Sequence, residues 1–403
     1  MTRLPDGQTW LTAPETTAVI DALEAAGGEA RFVGGCVRNA LLREPVADVD
    51  IATTLTPDRT MAALEAAGLR FAPTGVEHGT VTAISGRRGF EVTTLRRDVA
   101  TDGRRAVVAF TDDWAEDAAR RDFRLNALYA DRTGEVFDPT GEGVEDCRAG
   151  RIVFVGEAEA RIREDYLRIL RFFRFHAWYG RSAPDAAGLA ACAGLKAGIG
   201  QLSAERISAE LLKLLAAPDP VGAVRLMDET GVLEQALPFE LDRRLFEAMV
   251  GLSQDRALRL SALLAADWDM VEAAATRLRF SNALRDRLLA ALPDFVEVKL
   301  GMEAHAARVA IYRLGKRTFT DRLMRAWAAE PDRYAGAWPL LDLAESWTPP
   351  RFPIGGAELR QAGLEPGPRM GQVLRDLQDW WMAEDFPEEG LDAKLAELIG
   401  AAA

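Results

Sequence analysis

Val33-Gly34-Gly35-Cys36-Val37-Arg38-Asn39, followed a few residues later by Asp48-Val49-Asp50, is the part of this sequence that decides the fold. A glycine pair lets the backbone approach a charged ligand closely, because neither residue carries a Cβ atom. Residues 46–51 are apolar and β-branched around the two acids, which predicts a strand with both carboxylates on one side. Two hard oxygen ligands beside such a turn indicate Mg²⁺-assisted phosphoryl or nucleotidyl transfer. The structural alternative is an ordinary turn followed by solvated acids at a strand end.

A third carboxylate follows in a second short β-type run, residues 89–95, after a turn-rich segment. Glu91 lies in the middle of this run. A neighbouring strand could bring Glu91 over the same metal ions as Asp48 and Asp50. The alternative is a glutamate on the exposed face of a strand.

Paired arginines come next, in Arg120-Arg121-Asp122-Phe-Arg-Leu-Asn126. Guanidinium groups present bidentate donors that suit phosphate oxygens and ribose hydroxyls. Asp122 and Asn126 fall one helical turn apart, so they are candidates for the same pocket. A salt-bridged helix face is the alternative explanation of this charge pattern.

The segment 157–179 has apolar residues at helical spacing, which predicts one helix with a buried face. Asp165 and Arg168 share a different face, three residues apart. A carboxylate accepts hydrogen bonds and a guanidinium only donates them. Cytosine and adenine each present an amino donor beside a ring-nitrogen acceptor, so an Asp–Arg pair could accept both bases and reject G and U. The alternative is a simple salt bridge within the helix.

In this order and at these distances, the segments resemble the class II tRNA nucleotidyltransferases and the related bacterial poly(A) polymerases. The motifs that carry the resemblance are Gly34-Gly35-x-Val-Arg38, Asp48-x-Asp50, Glu91-Val-Thr-Thr-x-Arg96, Arg120-Arg121-Asp122-Phe-x-x-Asn126-Ala127, Asp138-Pro-x-Gly141 and Glu164-Asp165-x-x-Arg168. The resemblance is strong over about the first half of the chain and looser over the last hundred residues. Two positions depart from the family pattern: Asn39 stands where Asp is usual, and Arg124 where Thr is common.

The resemblance implies an α+β fold, in which a small mixed-sheet nucleotidyltransferase head precedes an elongated all-α neck, body and tail. The expected domains are a catalytic head over 1–150, a base-recognising neck over 151–216, a body over 217–300 and an RNA-binding tail over 301–403. The pattern changes agree, because strand signals stop near residue 150 and helical patterns follow. The Pro/Gly-rich segment 348–368 is expected to link the body to a last helix.

The resemblance also implies a function, the addition of C, C and A to the 3′ end of tRNA from CTP and ATP with release of pyrophosphate. Asp48, Asp50 and Glu91 would be catalytic and would hold two Mg²⁺ ions. The implied nucleotide contacts are Gly34, Gly35 and Arg38 for the triphosphate, Arg121, Asp122 and Asn126 for the ribose, and Asp165 and Arg168 for the base. The segment 97–114, with Asp102-Gly103 at its turn, is expected to be a flexible loop that repositions the base reader.

Three functional alternatives stay open at this point. Within the same chemistry, the chain could be a poly(A) polymerase, or an enzyme that adds only A or only CC. From another class, it could be an inactive RNA-binding protein that kept the scaffold. The intact set of three carboxylates argues against inactivity, and the acidic C-terminal region favours a structured tRNA over general RNA tailing.

Composition fits an enzyme of the cytoplasm. The chain has 403 residues, which predicts two or more compact units. Its mean hydropathy is −0.08, no run approaches eighteen uncharged apolar residues, and the N-terminus lacks an apolar core, so neither a membrane span nor export is expected. The three cysteines are far apart and odd in number, which predicts neither a disulfide framework nor a zinc site.

The net charge of −13 argues against RNA binding until its distribution is considered. Residues 330–403 carry fourteen acidic and six basic side chains, whereas residues 151–181 carry seven basic and four acidic ones. A local arginine stripe governs phosphate contact more than the overall sum does. The sequence therefore predicts RNA binding that is modest in affinity and sensitive to salt.

Overall fold

A computed structural model describes residues 2–102 and 105–401, and the chain divides into two compact units, Met1–Pro238 and Phe239–Ala403. In the described chain, all named strands belong to the first unit. They are β1 (Thr2–Arg3), β2 (Ala30–Val33), β3 (Ile51–Thr53), β4 (Arg70–Gly75), β5 (Thr80–Ser85), β6 (Arg88–Thr94), β7 (Arg96–Asp102), β8 (Arg105–Phe110), β9 (Tyr129–Ala130) and β10 (Glu135–Phe137).

Eight of these strands form one mixed sheet in the order β1-β10-β9-β2-β3-β6-β5-β4. Neighbours in the sheet are antiparallel except β3 and β6, which run parallel with Ile51 opposite Val92. Residues that precede Ile51 and Val92 in the sequence therefore meet at the same edge of the sheet. β7 and β8 pair with each other as a separate antiparallel hairpin.

Two predictions for the head need correction. The strand predicted over 46–51 is wrong, because β3 begins only at Ile51 and residues 44–50 are irregular. The Val33 N–H still donates to the carbonyl of Asp50 at 3.0 Å, so the irregular segment lies against β2. The segment 97–114, expected to be a loop, largely forms β7 and β8, and Gly103 of its predicted turn lies outside the described residues.

The helices of the first unit surround and follow the sheet. They are α1 (Thr9–Thr12), α2 (Pro14–Ala25), α3 (Gly35–Leu42), α4 (Pro57–Ala66), α5 (Trp114–Ala119), α6 (Gly143–Ala149), α7 (Ala158–Glu164), α8 (Leu167–Tyr179), α9 (Ala186–Leu195), α10 (Ala204–Leu215), α11 (Val221–Glu229) and α12 (Val232–Ala236). Short 3₁₀ helices cover Val76–His78, Arg124–Asn126 and Lys196–Gln201.

The prediction of a single helix over 157–179 is wrong, because this segment forms two helices, α7 and α8, with a break between them. Asp165 has an extended backbone with φ −156° and ψ 106°, and its Oδ1 accepts a hydrogen bond from the Leu167 N–H at 3.1 Å. An aspartate side chain can replace a helical backbone partner in this way. The apolar spacing continues across the break because both helices bury their apolar residues, so periodicity alone does not reveal it.

An aromatic cluster fixes α8 to the segment that follows the sheet. Phe154 and Phe172 are stacked, with ring centroids 5.7 Å apart and planes 5° from parallel. Phe123 packs on Phe154 at 4.8 Å, and all three side chains are essentially inaccessible to solvent. Offset aromatic contacts of this kind add to the free energy gained by burial.

In the described part of the second unit all named elements are helices, joined by irregular segments, and an isolated bridge links Leu241 to Leu264. Its helices are α13 (Arg243–Leu252), α14 (Arg256–Leu263), α15 (Trp268–Arg277), α16 (Asn282–Ala290), α17 (Ala304–Leu314), α18 (Lys316–Ala329), α19 (Trp338–Ser346), α20 (Gly356–Gln361), α21 (Pro368–Ala383) and α22 (Leu391–Ala401), with a 3₁₀ segment at Pro331–Gly336. One core cluster gathers around Phe319 of α18 and another around Trp381 of α21.

These elements confirm the predicted α+β class, a mixed sheet followed by helices. The expectation of a plain link over 348–368 was incomplete, because this Pro/Gly-rich segment contains α20 and two further helices follow it. Across the described chain, no helix is both long enough and apolar enough to cross a membrane.

The aromatic cluster gives a first prediction, on stability. We expect Phe172→Ala to lower the free energy of unfolding by about 3–5 kcal/mol, because it removes a fully buried ring and leaves a cavity. Phe172→Leu refills part of that space and should lose less. Urea unfolding followed by circular dichroism measures both variants. Equal stability of Phe172→Ala and the unaltered chain would contradict the packing described here.

Candidate active site

The glycine turn forms the start of α3. Gly34 adopts φ 69° and ψ −117°, a conformation that favours glycine, and its N–H donates to the Leu128 carbonyl at 3.0 Å. The helix begins at Gly35, so the first N–H groups of α3 have no partner within the helix. These donors and the positive end of the helix dipole suit an anionic ligand.

The three predicted carboxylates share one side of the sheet. Asp48 is exposed and Asp50 half-buried, whereas the apolar residues that alternate with them are buried. Glu91 is exposed on β6, between two buried neighbours. Because Ile51 lies opposite Val92 in the parallel pair β3–β6, the residues directly before them, Asp50 and Glu91, come side by side. The predicted approach of a third carboxylate from a neighbouring strand agrees with this geometry.

Among these carboxylates, Asp50 has a pKa that its surroundings raise. Burial raises its pKa to about 6, and the negative charges of Glu91 and Asp48 push the pKa in the same direction. Arg121 acts in the opposite direction but does not cancel the rise. A negative charge on Asp50 therefore costs free energy in the folded chain, and a nearby cation would recover it.

The donor set fits a hard divalent cation. Asp48, Asp50 and Glu91 offer only carboxylate oxygens, and Asp50 is unfavourably charged without a counterion. Within residues 2–102 and 105–401, no three histidine, cysteine or acidic side chains are arranged so as to enclose an ion. Mg²⁺ generally takes one or two protein carboxylates and fills its other positions with water and substrate phosphates, so three protein ligands in contact are not required.

Arg121 lies between the glycine turn and the carboxylates. A Cβ atom built on Gly34 would lie 3.7 Å from Arg121 Nη1, and the charge of Arg121 acts on Asp50. Arg121 Nη2 donates to Asp117 Oδ2 at 2.9 Å, and Arg121 Nε donates to the Tyr129 hydroxyl at 3.2 Å. Nη2 and Nε of the guanidinium are thus held by Asp117 and Tyr129, while Nη1 lies close to the glycine turn.

Asp117 is the buried anchor of both paired arginines. Arg120 Nε donates to Asp117 Oδ1 at 2.8 Å, and the Tyr129 hydroxyl donates to Asp117 Oδ2 at 2.7 Å. Burial alone would raise the pKa of Asp117, but the charges of Arg121 and Arg120 outweigh it and hold the pKa at about 2. Asp117 therefore stays ionised at all ordinary pH values and keeps both guanidinium groups in place.

Arg38 lies beneath the turn rather than on its surface. Its Nη1 donates to Asn126 Oδ1 at 2.5 Å, and its Nη2 donates to Asn39 Oδ1 and to the Tyr179 hydroxyl, both at 2.8 Å. The side chain is buried, and burial lowers its pKa. Its hydrogen-bond partners in the described chain are all neutral, so its positive charge reaches the overlying turn, where a Cβ on Gly35 would lie 3.7 Å from Nη2.

Asp122 and Asn126 belong to a buried network. Asp122 Oδ1 accepts from Asn126 Nδ2 at 3.0 Å, and Asp122 Oδ2 accepts from Arg171 Nε of α8 at 2.7 Å. Burial would raise the pKa of Asp122, but Arg171 and Asn126 hold it below its usual value. Asn126 lies in the 3₁₀ helix Arg124–Asn126 rather than in an α-helix. The network connects the glycine turn to α8, and contact with a ribose stays a prediction.

Asp165 and Arg168 flank the helix break, and they do not pair with each other. Asp165 Oδ2 accepts from Arg206 Nη2 of α10 at 2.7 Å. Arg168 Nη1 donates to Glu164 Oε2 at 2.6 Å, and its Nη2 donates to the Arg120 carbonyl at 3.3 Å. The salt bridge considered as the structural alternative is therefore absent, and each side chain is held in place by a different partner.

The two departures from the family pattern both have local partners. Asn39 accepts from Arg38 and donates through Nδ2 to the Pro45 carbonyl at 2.9 Å, which an aspartate could not do. Arg124 forms ion pairs with Glu142 and with Asp146 of α6, the latter at 3.5 Å. Neither position contacts the carboxylate group.

Five side chains that position the site had no role in the sequence analysis: Asp117, Tyr129, Arg171, Tyr179 and Arg206. Spacing offered a signal for Asp117, which precedes Arg121 by four residues. The other four each have a hydrogen-bond partner twelve or more residues away, beyond the spacing of helix neighbours, as Asp165 and Arg206 illustrate with a separation of 41.

The fold and this constellation define a nucleotidyltransferase head, and comparisons with known proteins agree. The family model described as "Poly A polymerase head domain" matches residues 30–153. A second model, described as "Probable RNA and SrmB- binding site of polymerase A", matches residues 185–250.

Relatives match along most of the chain. The mitochondrial CCA tRNA nucleotidyltransferase 1 of Danio rerio is 34% identical over 88% of this chain and 83% of its own length. A CCA-adding enzyme of Streptococcus sanguinis is 33% identical over 90% and 92%. The structure of the Bacillus stearothermophilus CCA-adding enzyme in complex with CTP is similar with a TM-score of 0.78, at 25% identity, over 96% of this chain and 97% of that one. The chain belongs to the CCA-adding tRNA nucleotidyltransferase family, as the sequence motifs indicated.

The raised pKa of Asp50 gives a second prediction. In the folded chain Asp50 binds its proton up to about pH 6, whereas in the unfolded chain it releases it near pH 4, so this group lowers stability as pH rises between those values. With a chelator present at pH 7.5, we expect Asp50→Asn to raise the free energy of unfolding by about 1–3 kcal/mol. Urea unfolding at pH 4.5 and 7.5 measures the effect.

The exposed Asp6→Asn variant is the matched control and should change neither value. A metal-free Asp50→Asn protein that is no more stable than the unaltered chain at pH 7.5 would contradict the electrostatic account of the site.

Proposed function

We propose that this chain adds C, C and A in sequence to the 3′ end of tRNA, using CTP and ATP and no nucleic-acid template, with release of pyrophosphate. The observation that carries the proposal is the group Asp48, Asp50 and Glu91, in which a negative charge on Asp50 is unfavourable, close to the glycine turn at Gly34. Membership of the CCA-adding family over about nine-tenths of the chain supports the same reaction.

The glycine turn and Arg121 bind the triphosphate in this proposal. The first N–H groups of α3, which have no partner within the helix, would donate to the phosphates. Arg121, held in place by Asp117, would add a further donor. Arg38 contributes its positive charge from beneath the turn, because its own hydrogen bonds go to neutral side chains. The ordering of these groups before the substrate arrives reduces the reorganisation needed for transfer.

Asp48 and Asp50 would hold two Mg²⁺ ions, one of which Glu91 also reaches. When bound, the ions lower the pKa of the RNA 3′-hydroxyl and stabilise the leaving pyrophosphate. Asp48 and Asp50 would position the reacting groups through the ions that they hold. The proximity of hydroxyl and triphosphate that results converts a bimolecular encounter into an intramolecular step.

The ribose and the base would be recognised by residues around the network that joins the turn to α8. Asn126 and Asp122, next to Arg121, would meet the sugar hydroxyls. Asp165 would accept from the amino group of C or A, since each carboxylate oxygen has more than one acceptor position and Arg206 uses only one. Arg168 would donate to the adjacent ring nitrogen with a guanidinium N–H that is not engaged by Glu164 or by backbone carbonyls.

The helical part of the chain would hold the acceptor arm of the tRNA. In this proposal residues 1–150 are the catalytic head, 151–216 the neck that reads the base, 217–300 the body, and 301–403 the tail that contacts RNA. Duplex RNA is recognised mainly through its shape and backbone. The basic stretch 151–181 supplies phosphate contacts, and the location of the reaction in the cytoplasm stays a prediction.

The third prediction tests the reaction and its metal site together. The purified chain should extend a tRNA that lacks its 3′ CCA with two C residues and one A, and Asp48→Ala or Asp50→Ala should reduce incorporation by several orders of magnitude. Thermal melting of both variants without metal should stay near or above that of the unaltered chain, because these acids do not pack the core. Mg²⁺ should stabilise the unaltered chain at pH 7.5 but not Asp50→Ala.

Near-normal turnover of either variant with Mg²⁺ would refute the metal assignment. Incorporation of A alone, of C alone, or of a long A tract would instead identify one of the alternative activities within the same chemistry.

The fourth prediction concerns base selection. On one tRNA primer, Asp165→Ala and Arg168→Ala should each weaken selection of C and A over U and G by about ten- to hundredfold, because an unpaired polar group is left against the base. Arg206→Ala should have a smaller effect in the same direction, since it frees the Asp165 carboxylate from its fixed orientation. Incorporation of all four nucleotides is measured for each variant.

Arg163→Ala is the matched control, because Arg163 is exposed on α7 and pairs only with Glu159 in the described chain. If selectivity persists in the Asp165 and Arg168 variants, these two residues only stabilise the helix break, and other residues select the base.

A further inference from the structure

A small cavity in the second unit has the features of a ligand site. Its volume is about 230 Å³, and it lies between α13, the end of α16, the irregular segment 293–299 and one face of α18. Eight of its ten lining residues have apolar side chains, among them Leu245, Val296, Val298 and Ala326. The two exceptions are arginines of α18, so the cavity combines apolar walls with positive charge.

The two arginines differ in how their charges are satisfied. Arg322 donates to both carboxylate oxygens of Asp294, with the second pair at 2.8 Å, and to the carbonyls of Ala290 and Val296 at 2.8 and 3.1 Å. Arg322 therefore ties the irregular segment 293–299 to α18 and fixes one wall of the cavity. It has no need of a further anion.

Arg325 has no such partner. It is 7% exposed, and within the described chain it donates only to the backbone carbonyl and the hydroxyl of Ser261, through the single atom Nη1. A guanidinium carries five N–H donors, and Arg325 lines the cavity, so most of its donors are left for a ligand once Nη1 has bonded Ser261. Burial lowers its pKa, and Asp242 is the one charged residue whose field opposes that change, without forming a described ion pair.

The contact with Ser261 offsets part of the positive charge of Arg325. Ser261 lies in the last turn of α14, where helix carbonyls lack helical partners and carry partial negative charge. That partial charge is smaller than a full anion. A buried arginine usually requires a carboxylate or phosphate partner, because desolvation of an unpaired ion is costly.

We propose that this cavity binds a small organic carboxylate, with the carboxylate on Arg325 and an apolar body against Leu245, Val296, Val298 and Ala326. A guanidinium matches a carboxylate in bidentate geometry. The volume is below the roughly 300–1,000 Å³ typical of pockets for drug-sized ligands, so the ligand is a small acid rather than a nucleotide. The apolar walls select against free phosphate. This site belongs to the second unit and is separate from the carboxylate group of the sheet.

The test uses the full chain and three probes. Benzoate supplies a carboxylate on an apolar ring, benzyl alcohol the same ring without charge, and inorganic phosphate an anion without an apolar body. Isothermal titration calorimetry should give saturable binding of benzoate, with benzyl alcohol and phosphate at least tenfold weaker. Equal binding of benzyl alcohol would show an apolar cavity without anion recognition, and equal binding of phosphate would show a plain anion site; either result overturns the proposal.

Two variants locate the ligand. Arg325→Met keeps the aliphatic stem and should weaken benzoate by about ten- to hundredfold through loss of the charge-assisted pair. Ala326→Leu keeps Arg325 but fills the cavity and should abolish binding, which keeps the test valid if Arg325→Met does not fold. Arg333→Met is the matched control, because Arg333 is exposed and pairs with Glu330. Unchanged benzoate affinity in Ala326→Leu would refute the site.

Discussion

The parallel pairing of β3 with β6 is the constraint on which the candidate active site depends. In an otherwise antiparallel sheet, this one pair runs the two chain segments in the same direction with Ile51 opposite Val92, so Asp50 and Glu91 lie side by side. Burial raises the pKa of Asp50 to about 6, and the like charges that the fold places beside it push the pKa in the same direction. A scaffold tolerates such an arrangement where a bound cation recovers the free energy, which is a common property of functional sites.

A second set of interactions determines how the glycine turn is supported. Arg38, Asn126, Asp122 and Arg171 form a continuous buried chain of hydrogen bonds from beneath Gly35 to α8. Buried polar networks are stable only when their members are satisfied, and here each link has a partner with good geometry. Asn39 matters in this context. An aspartate at that position would neutralise Arg38 directly, whereas the amide fixes its orientation and leaves its positive charge to act on the turn above.

Much of this site could be predicted from the sequence, and the parts that could not have physical causes. The glycine turn and the three carboxylates were accessible because they depend on residue type and local spacing, and the mixed sheet followed by helices was implied by the family resemblance. The start of β3 at Ile51 was not, since an irregular extended segment and a strand show the same alternation of apolar and polar residues. The break at Asp165 was missed for a similar reason, because burial on both sides of the break preserves the helical period. Pairings such as Asp165 with Arg206 join residues 41 positions apart, and only the fold brings them together.

The break at Asp165 also bears on the base selection proposed for Asp165 and Arg168. In an uninterrupted helix, Asp165 and Arg168 would lie three residues apart on one face and would neutralise each other, which leaves little for a base to contact. The break separates them: Asp165 turns to Arg206, and Arg168 turns to Glu164. Each side chain is then oriented by a partner of opposite charge and keeps unused hydrogen-bonding positions. A hydrogen-bond acceptor and a donor that are oriented by separate partners can face one base edge without pairing with each other. The helix break at Asp165, which the helical periodicity of the sequence does not reveal, therefore makes the proposed two-residue base reader physically feasible.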